Sequence, residues 1–136
     1  MKYIVLPVVM LFMAMSACQS QQSDSKAATA AKAGVKPVYK EISLDEFKVK
    51  LNEPGVVVLD VRTPEETADG KVEGAIELNY YDGDFAQQLS RLDKQKTYLV
   101  YCHAGGRSTE ACQQMQAQGF AQVYNFKGGY SSWRKK

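Results

Sequence analysis

Hydrophobic and polar positions fall into three regimes along the chain. Ile4 to Met15 is a continuous apolar run; Gln19 to about Pro37 is Gln, Ser, Ala and Lys with almost no branched or aromatic side chains. From Val38 onward, short apolar runs bounded by turn residues alternate with amphipathic stretches. Strands are predicted at Val38 to Ile42, Val56 to Leu59, Ala75 to Leu78, Thr97 to Tyr101 and Val123 to Asn125. Ser43 with Glu46 reads as a capping box opening a helix to about Leu51, which Asn52 to Gly55 ends. Thr63 as N-cap, Pro64 at the first helical position and Glu65-Glu66 in the first turn open a second helix, which Gly70 stops. Phe85 to Leu92 and Ser108 to Gln118 complete the longer helical segments, and Gly128-Gly129 turns into a short last helix bearing Trp133. Strand and helix in alternation specify an α/β layer structure with a mostly parallel sheet.

At 136 residues, 45% hydrophobic and 24% charged, the chain has room for one ordinary domain. The net charge of +2 is small and the basic residues are scattered, so no stripe argues for nucleic acid. The organisation read from these patterns is 1–17 as a signal segment, 18–37 as a tether and 38–136 as the folded domain. The tether composition cannot bury enough apolar surface to offset the entropy of ordering.

Lys2, the apolar run and Met15-Ser16-Ala17-Cys18 form a secretory signal pattern, too short for the ~20 apolar residues of a spanning helix. Its last four residues resemble a bacterial lipobox, with Met15 where Leu is usual. That resemblance implies cleavage, acylation of Cys18 and a lipid anchor in the cell envelope, firmer than one myristoyl chain provides. Gln19 after the cysteine, by analogy with lipoprotein sorting, implies a periplasm-facing position on the outer membrane.

The strongest chemical signal is Cys102-His103-Ala104-Gly105-Gly106-Arg107-Ser108. A strand ending in cysteine, followed by a glycine-containing loop and a helix start, puts a thiol near backbone amides and a helix N-terminus, where anions bind. An ordinary cysteine is only roughly 3% thiolate at pH 7, and this setting favours the thiolate. Gly105 and Gly106 allow amides to point inward, and Arg107 adds a planar cation suited to an oxyanion. An anionic sulfur donor is the natural ligand. The thiolate would attack its outer sulfur, keep that sulfur as a persulfide and pass it to a second nucleophile, which is ping-pong covalent catalysis.

Three stretches together resemble a single-domain rhodanese. They are Leu59-Asp60-Val61-Arg62-Thr63-Pro64-Glu65-Glu66 with Gly74-Ala75-Ile76, then the Cys102 to Ser108 loop, and Val123-Tyr124-Asn125-Phe126-Lys127-Gly128-Gly129-Tyr130 with Trp133. The resemblance spans about Val38 to Trp133. It implies a three-layer α/β fold with a central, mostly parallel five-stranded sheet flanked by helices. It also implies a thiosulfate sulfurtransferase that moves sulfane sulfur from thiosulfate or a persulfide through Cys102 to a thiol or cyanide. Four residues separate Cys102 from Arg107, as in the sulfurtransferases; the related phosphatases and arsenate reductases have five. Thr67, Lys71 and Glu73 depart from the aromatic, histidine and proline common at those positions, which concerns local packing rather than chemistry. The different class of reading is a non-catalytic module that binds sulfur compounds or docks a protein through the same loop.

The remaining expectations concern individual residues. Cys102 is the nucleophile, with His103, Ala104, Gly105, Gly106, Arg107 and Ser108 around the substrate. His103, the sole histidine, is read as a wall of the pocket rather than a general base, since an amide-stabilised thiolate needs none. Asp60 and Arg62, at a strand end, are read as an ion pair supporting the loop. Cys112 lies about five residues into its helix, ~7.5 Å along the axis and beyond bridging reach of Cys102, so it is core filler. Cys102 is then a free thiol open to oxidative capping. Gly128 and Gly129 are read as turn residues, and Tyr80, Tyr81 and Trp133 as core or rim aromatics. No metal site or cofactor is expected, because no second histidine or cysteine pair has ligand spacing. A monomer is expected.

Overall fold

The computed structural model describes residues 36–135. The signal segment, Cys18 and nearly all of the tether lie outside the described residues. The elements are β1 (Val38–Ile42), α1 (Leu44–Leu51), β2 (Val56–Asp60), α2 (Pro64–Ala68), β3 (Ile76–Glu77), α3 (Phe85–Ser90), β4 (Thr97–Tyr101), α4 (Gly106–Ala117), β5 (Gln122–Phe126) and α5 (Gly129–Trp133). Five strands form one sheet in the order β1-β5-β4-β2-β3, and every pairing is parallel.

The period of two along each strand divides the core between the sheet's faces. In β4, Tyr98 and Val100, followed by Cys102, join a cluster with Leu59, Val61, Phe85, Leu89, Ala111, Cys112, Met115 and Val123. Leu99 and Tyr101 join the other cluster, with Ile42, Phe47, Val58, Phe126 and Tyr130. One layer is therefore built from α3 and α4, the other from α1 and α5. Phe47 stacks on Phe126 at 4.5 Å and meets Trp133 edge-on at 5.7 Å. Such a strand is near-continuously apolar because both faces are covered, and a parallel sheet requires that.

The predicted Ser43 capping box forms, and the Thr63 N-cap proves to be a second one. Ser43 and Glu46 exchange side-chain to backbone bonds at 2.9 and 3.3 Å, and Thr63 and Glu66 do so at 3.2 and 3.4 Å. Each cap contributes about 1 kcal/mol by satisfying helix-end donors. The third strand is shorter than its hydrophobic pattern suggests. β3 is an edge strand paired only to β2, through Leu59 with Ile76 and Asp60 with Glu77, and with no strand on its outer side its residues stay exposed. Two departures from the usual motif meet at this edge. The Thr67 hydroxyl lies 2.7 Å from Glu77 Oε2, and Lys71 pairs with the same carboxylate, so polar contacts replace the packing an aromatic would provide. α4 begins two residues before the predicted Ser108, because Gly105 turns the chain at φ +101° and brings Gly106 and Arg107 into its first turn.

All strands being parallel, their C-terminal ends lie along one edge, and chain entry at Val38 is at the opposite edge. Asp60, Tyr101 and Phe126 end their strands on the Cys102 side, where open α/β sheets place their crevices.

Candidate active site

Cys102 follows the central strand directly and is 2% exposed. The Gly105 amide donates to its Sγ at 3.1 Å. A Cβ on Gly105 would stand 2.3 Å from the Lys127 carbonyl, so only glycine lets the loop pack against the end of β5 at this positive φ. The Gly105 carbonyl points the other way and accepts from Ser108 Oγ at 3.0 Å and Thr109 Oγ1 at 2.8 Å. Asn125 of β5 donates to that Thr109 hydroxyl at 2.8 Å. Ser108 is fully buried, and its hydroxyl braces the turn. The amides of His103, Ala104, Gly106, Arg107 and Ser108 donate to no other group among the described residues, leaving a set of orphan donors at the start of α4.

The loop is clamped from α5 as well. Tyr130 N–H donates to the Cys102 carbonyl at 2.8 Å and Ser131 N–H to the His103 carbonyl at 3.0 Å. Gly129, at φ +57°, permits this approach: a Cβ there would fall 2.5 to 2.7 Å from those same two carbonyls. Gly129 thus has a task beyond ending a strand.

Beneath the loop lies a buried ion pair. Arg62 Nε and Nη2 reach the Asp60 carboxylate at 2.9 and 2.6 Å, and Tyr101 Oη donates to it at 2.5 Å. The rest of the guanidinium is used on the Glu66 and Gly70 carbonyls at 3.1 and 2.9 Å, while its plane lies 4.0 Å from the Tyr130 ring centre. The Val72 amide donates to Tyr101 Oη at 3.1 Å, so the phenol is satisfied on both sides. Burial, reinforced by the bond to Asp60, raises the Tyr101 phenol far above its usual range. This network holds the chain before Cys102, through Tyr101, and the chain that clamps it, through Tyr130.

Arg107 is engaged by Glu66, which the sequence places in the first turn of α2. Its Nη1 and Nη2 donate to the two Glu66 oxygens at 2.6 and 2.8 Å. Those bonds, opposed by partial burial and helped by the Thr63 amide, hold the Glu66 carboxyl down at about 2. His103 is exposed, with Nδ1 3.9 Å from Glu66 Oε1. Tyr81 is exposed over Arg107, 5.5 Å from ring centre to guanidinium, whereas Tyr80 packs on Phe85 at 5.2 Å and bonds Glu110. Beside His103 is a cleft of about 190 Å³ lined by Arg62, Glu66, Asp69, His103, Tyr130 and Arg134. A larger recess of about 410 Å³ at the ends of β1 and β5 includes no residue of the 102–108 loop, so size does not mark the site.

Cys112 is fully buried and free, and burial raises its thiol far above the usual range. Among the described residues no cluster of three or more His, Cys, Asp and Glu side chains could hold a metal ion. The placements of Glu66, Tyr101, Thr109, Asn125 and Tyr130 were not foreseen. In the sequence Glu66 stands as a first-turn acid of its helix and as the end of the Leu59 to Glu66 stretch, and neither says anything of a partner 41 residues away.

Residues 43–136 match the model of the rhodanese-like domain. The putative sulfurtransferase YtwF of Bacillus subtilis is 36% identical over 95 residues, covering 69% of this chain and 89% of that protein. The thiosulfate sulfurtransferase GlpE of Pseudomonas entomophila is 36% identical over 97 residues, covering 71% and 85%. The crystal structure of a rhodanese-like domain protein from Staphylococcus aureus superposes with a TM-score of 0.62 at 33% identity, covering 69% of this chain and 90% of that one.

Proposed function

The chain belongs to the rhodanese-like domain family, and from that membership we propose that it is a sulfurtransferase working through a Cys102 persulfide. The observation that carries this reading is the Gly105 amide on the Cys102 sulfur, 3.1 Å away in a loop whose amides at His103, Ala104, Gly106, Arg107 and Ser108 have no partner among the described residues. Cys102 as thiolate attacks the outer sulfur of thiosulfate or a persulfide donor. The donor's S–S bond breaks, its electron pair leaves with sulfite or a thiolate, and the loop donors hold the new persulfide anion. Cyanide or a thiol then attacks the outer persulfide sulfur and restores the Cys102 thiolate. Stabilisation by fixed amides needs no reorganisation at the moment of reaction.

In this reading His103 and Ala104, both exposed, meet the donor, Gly105 and Gly106 shape the cradle, Arg107 stands at its rim paired with Glu66, and Ser108 holds the turn. Asp60 and Arg62 position the loop without touching sulfur. The test is thiocyanate formation from thiosulfate and cyanide, together with the intact mass of the protein after thiosulfate alone. A 32-Da adduct, about one sulfur atom, that is absent from Cys102→Ala is the expected result. No adduct, and equal turnover by Cys102→Ala, would refute the reading. A binding module is the second reading, favoured by the low exposure of Cys102 and the occupation of Arg107 by Glu66. Capture of a sulfur compound without turnover would establish it.

The domain is also proposed to work at the bacterial envelope as a periplasm-facing, outer-membrane lipoprotein anchored through Cys18. Lys2, the apolar run and Met15-Ser16-Ala17-Cys18 support that reading. Mass spectrometry of the protein from its native envelope is expected to find an acylated Cys18 as the new N-terminus. An unmodified Met1 in the isolated protein would overturn it.

A further inference from the structure

We propose that Glu66 sets the charge selectivity of the Cys102 site, neutralising Arg107 so that dianionic sulfur donors lose the advantage over singly charged ones that a free guanidinium would give them. This rests on the sulfurtransferase reading and narrows its donor class. Arg107 meets Glu66 through both terminal nitrogens, at 2.6 and 2.8 Å, a bidentate fork that is only partly exposed. Glu66 cannot readily swing away. Its Oε2 also accepts from the Thr63 amide at 3.2 Å, and its own carbonyl accepts from buried Arg62 at 3.1 Å. Tyr81 over Arg107 limits the guanidinium on another side.

A donor approaching Cys102 therefore meets an ion pair of zero net charge, not an open cation. The free loop amides attract any anion, whereas the extra attraction that an unpaired Arg107 would give in proportion to the donor's charge is cancelled by the Glu66 carboxylate. Thiosulfate carries two charges and benzenethiosulfonate one. Both react alike: the Cys102 thiolate bonds to the outer sulfur, the S–S bond breaks, and sulfite or benzenesulfinate leaves with the electron pair. Their ratio of kcat/KM thus reports charge at the mouth.

Glu66→Gln is a clean probe because glutamine can still accept from the Thr63 amide in the capping box. The variant is expected to raise the thiosulfate-to-benzenethiosulfonate ratio about tenfold, and added salt is expected to erode that gain. The double variant Glu66→Gln with Arg107→Gln again has an uncharged mouth and is expected to return the ratio to near that of the wild type. An unchanged ratio in Glu66→Gln, an equal fall for both donors, or a raised ratio that survives in the double variant would overturn the proposal. If neither donor leaves sulfur on Cys102 even in the wild type, the sulfurtransferase reading has failed on its own. Calorimetric binding of sulfate then decides: tighter binding by Glu66→Gln supports charge selection, and unchanged affinity refutes it.

Discussion

Two guanidinium–carboxylate pairs support the Cys102 loop, and their surroundings give them opposite characters. Asp60–Arg62 is sealed under the loop, 0% and 2% exposed, with Tyr101, Glu66 and Gly70 satisfying what the pair leaves over. Glu66–Arg107 has comparable distances but lies at the mouth, 29% and 18% exposed. A buried pair is held by what happens if it breaks, since an uncompensated charge has no water to turn to. A pair at the mouth has water and incoming anions as alternative partners, so its net worth to stability is small and its effect on ligands large. The same two chemical groups are thus framework in one place and a selector in the other.

Removing one member of the inner pair should break this contrast most visibly. Asp60→Ala leaves Arg62 buried and unpaired and is expected to cost about 3 to 5 kcal/mol in denaturant unfolding; a loss below about 1 kcal/mol would mean that water reaches the pair. Tyr101→Phe keeps the pair but leaves the Val72 amide and one Asp60 acceptor short of a partner. It should cost about 1 to 3 kcal/mol by the same measurement. Glu66→Gln, by contrast, should cost clearly less at neutral pH than Asp60→Ala, because water screens what the Glu66–Arg107 pair contributes. Equal losses for Asp60→Ala and Glu66→Gln would erase the distinction drawn between the pairs.

Acid sharpens the distinction further. The Glu66 carboxyl is lowered from 4.5 to about 2, chiefly by the Arg107 hydrogen bonds. A lowered carboxylate contributes stability that is complete above the unfolded value and fades as pH falls from about 4.5 to about 2. The wild type is therefore expected to lose more stability than Glu66→Gln across that window, read from unfolding midpoints at stepped pH. Parallel curves would show that the pair does not persist in solution. The smallest effect is expected for Glu41→Gln, which removes the exposed pair with Lys127, 3.1 Å apart. It should stay within about 0.5 kcal/mol of the wild type.

Much of the architecture was legible because it is encoded locally. Ser43-x-x-Glu46 and Thr63-Pro64 with the acids after it mark two helix starts, and both helices begin there. Val56 to Leu59 and Thr97 to Tyr101 read as buried strands from their unbroken apolar runs, and they are neighbours in the sheet. The sequence pattern places the start of α4 two residues late because the left-handed turn at Gly105 packs against Lys127, far along the chain. Gly129 looked like punctuation for the same reason: the carbonyls it admits belong to Cys102 and His103.

By itself the sequence determined the order of strands and helices, the parallel sheet and the position of a cysteine between a central strand and a helix. Those features follow from periodicity, caps and turn residues, which act over a few neighbours. Only the tertiary structure decided which carboxylate meets which guanidinium. Asp60 finds Arg62 two residues away, but Glu66 finds Arg107 across 41 residues. That choice depends on how α2 and α4 are set against the sheet's C-terminal edge, and side-chain charge carries no information about distance in the fold.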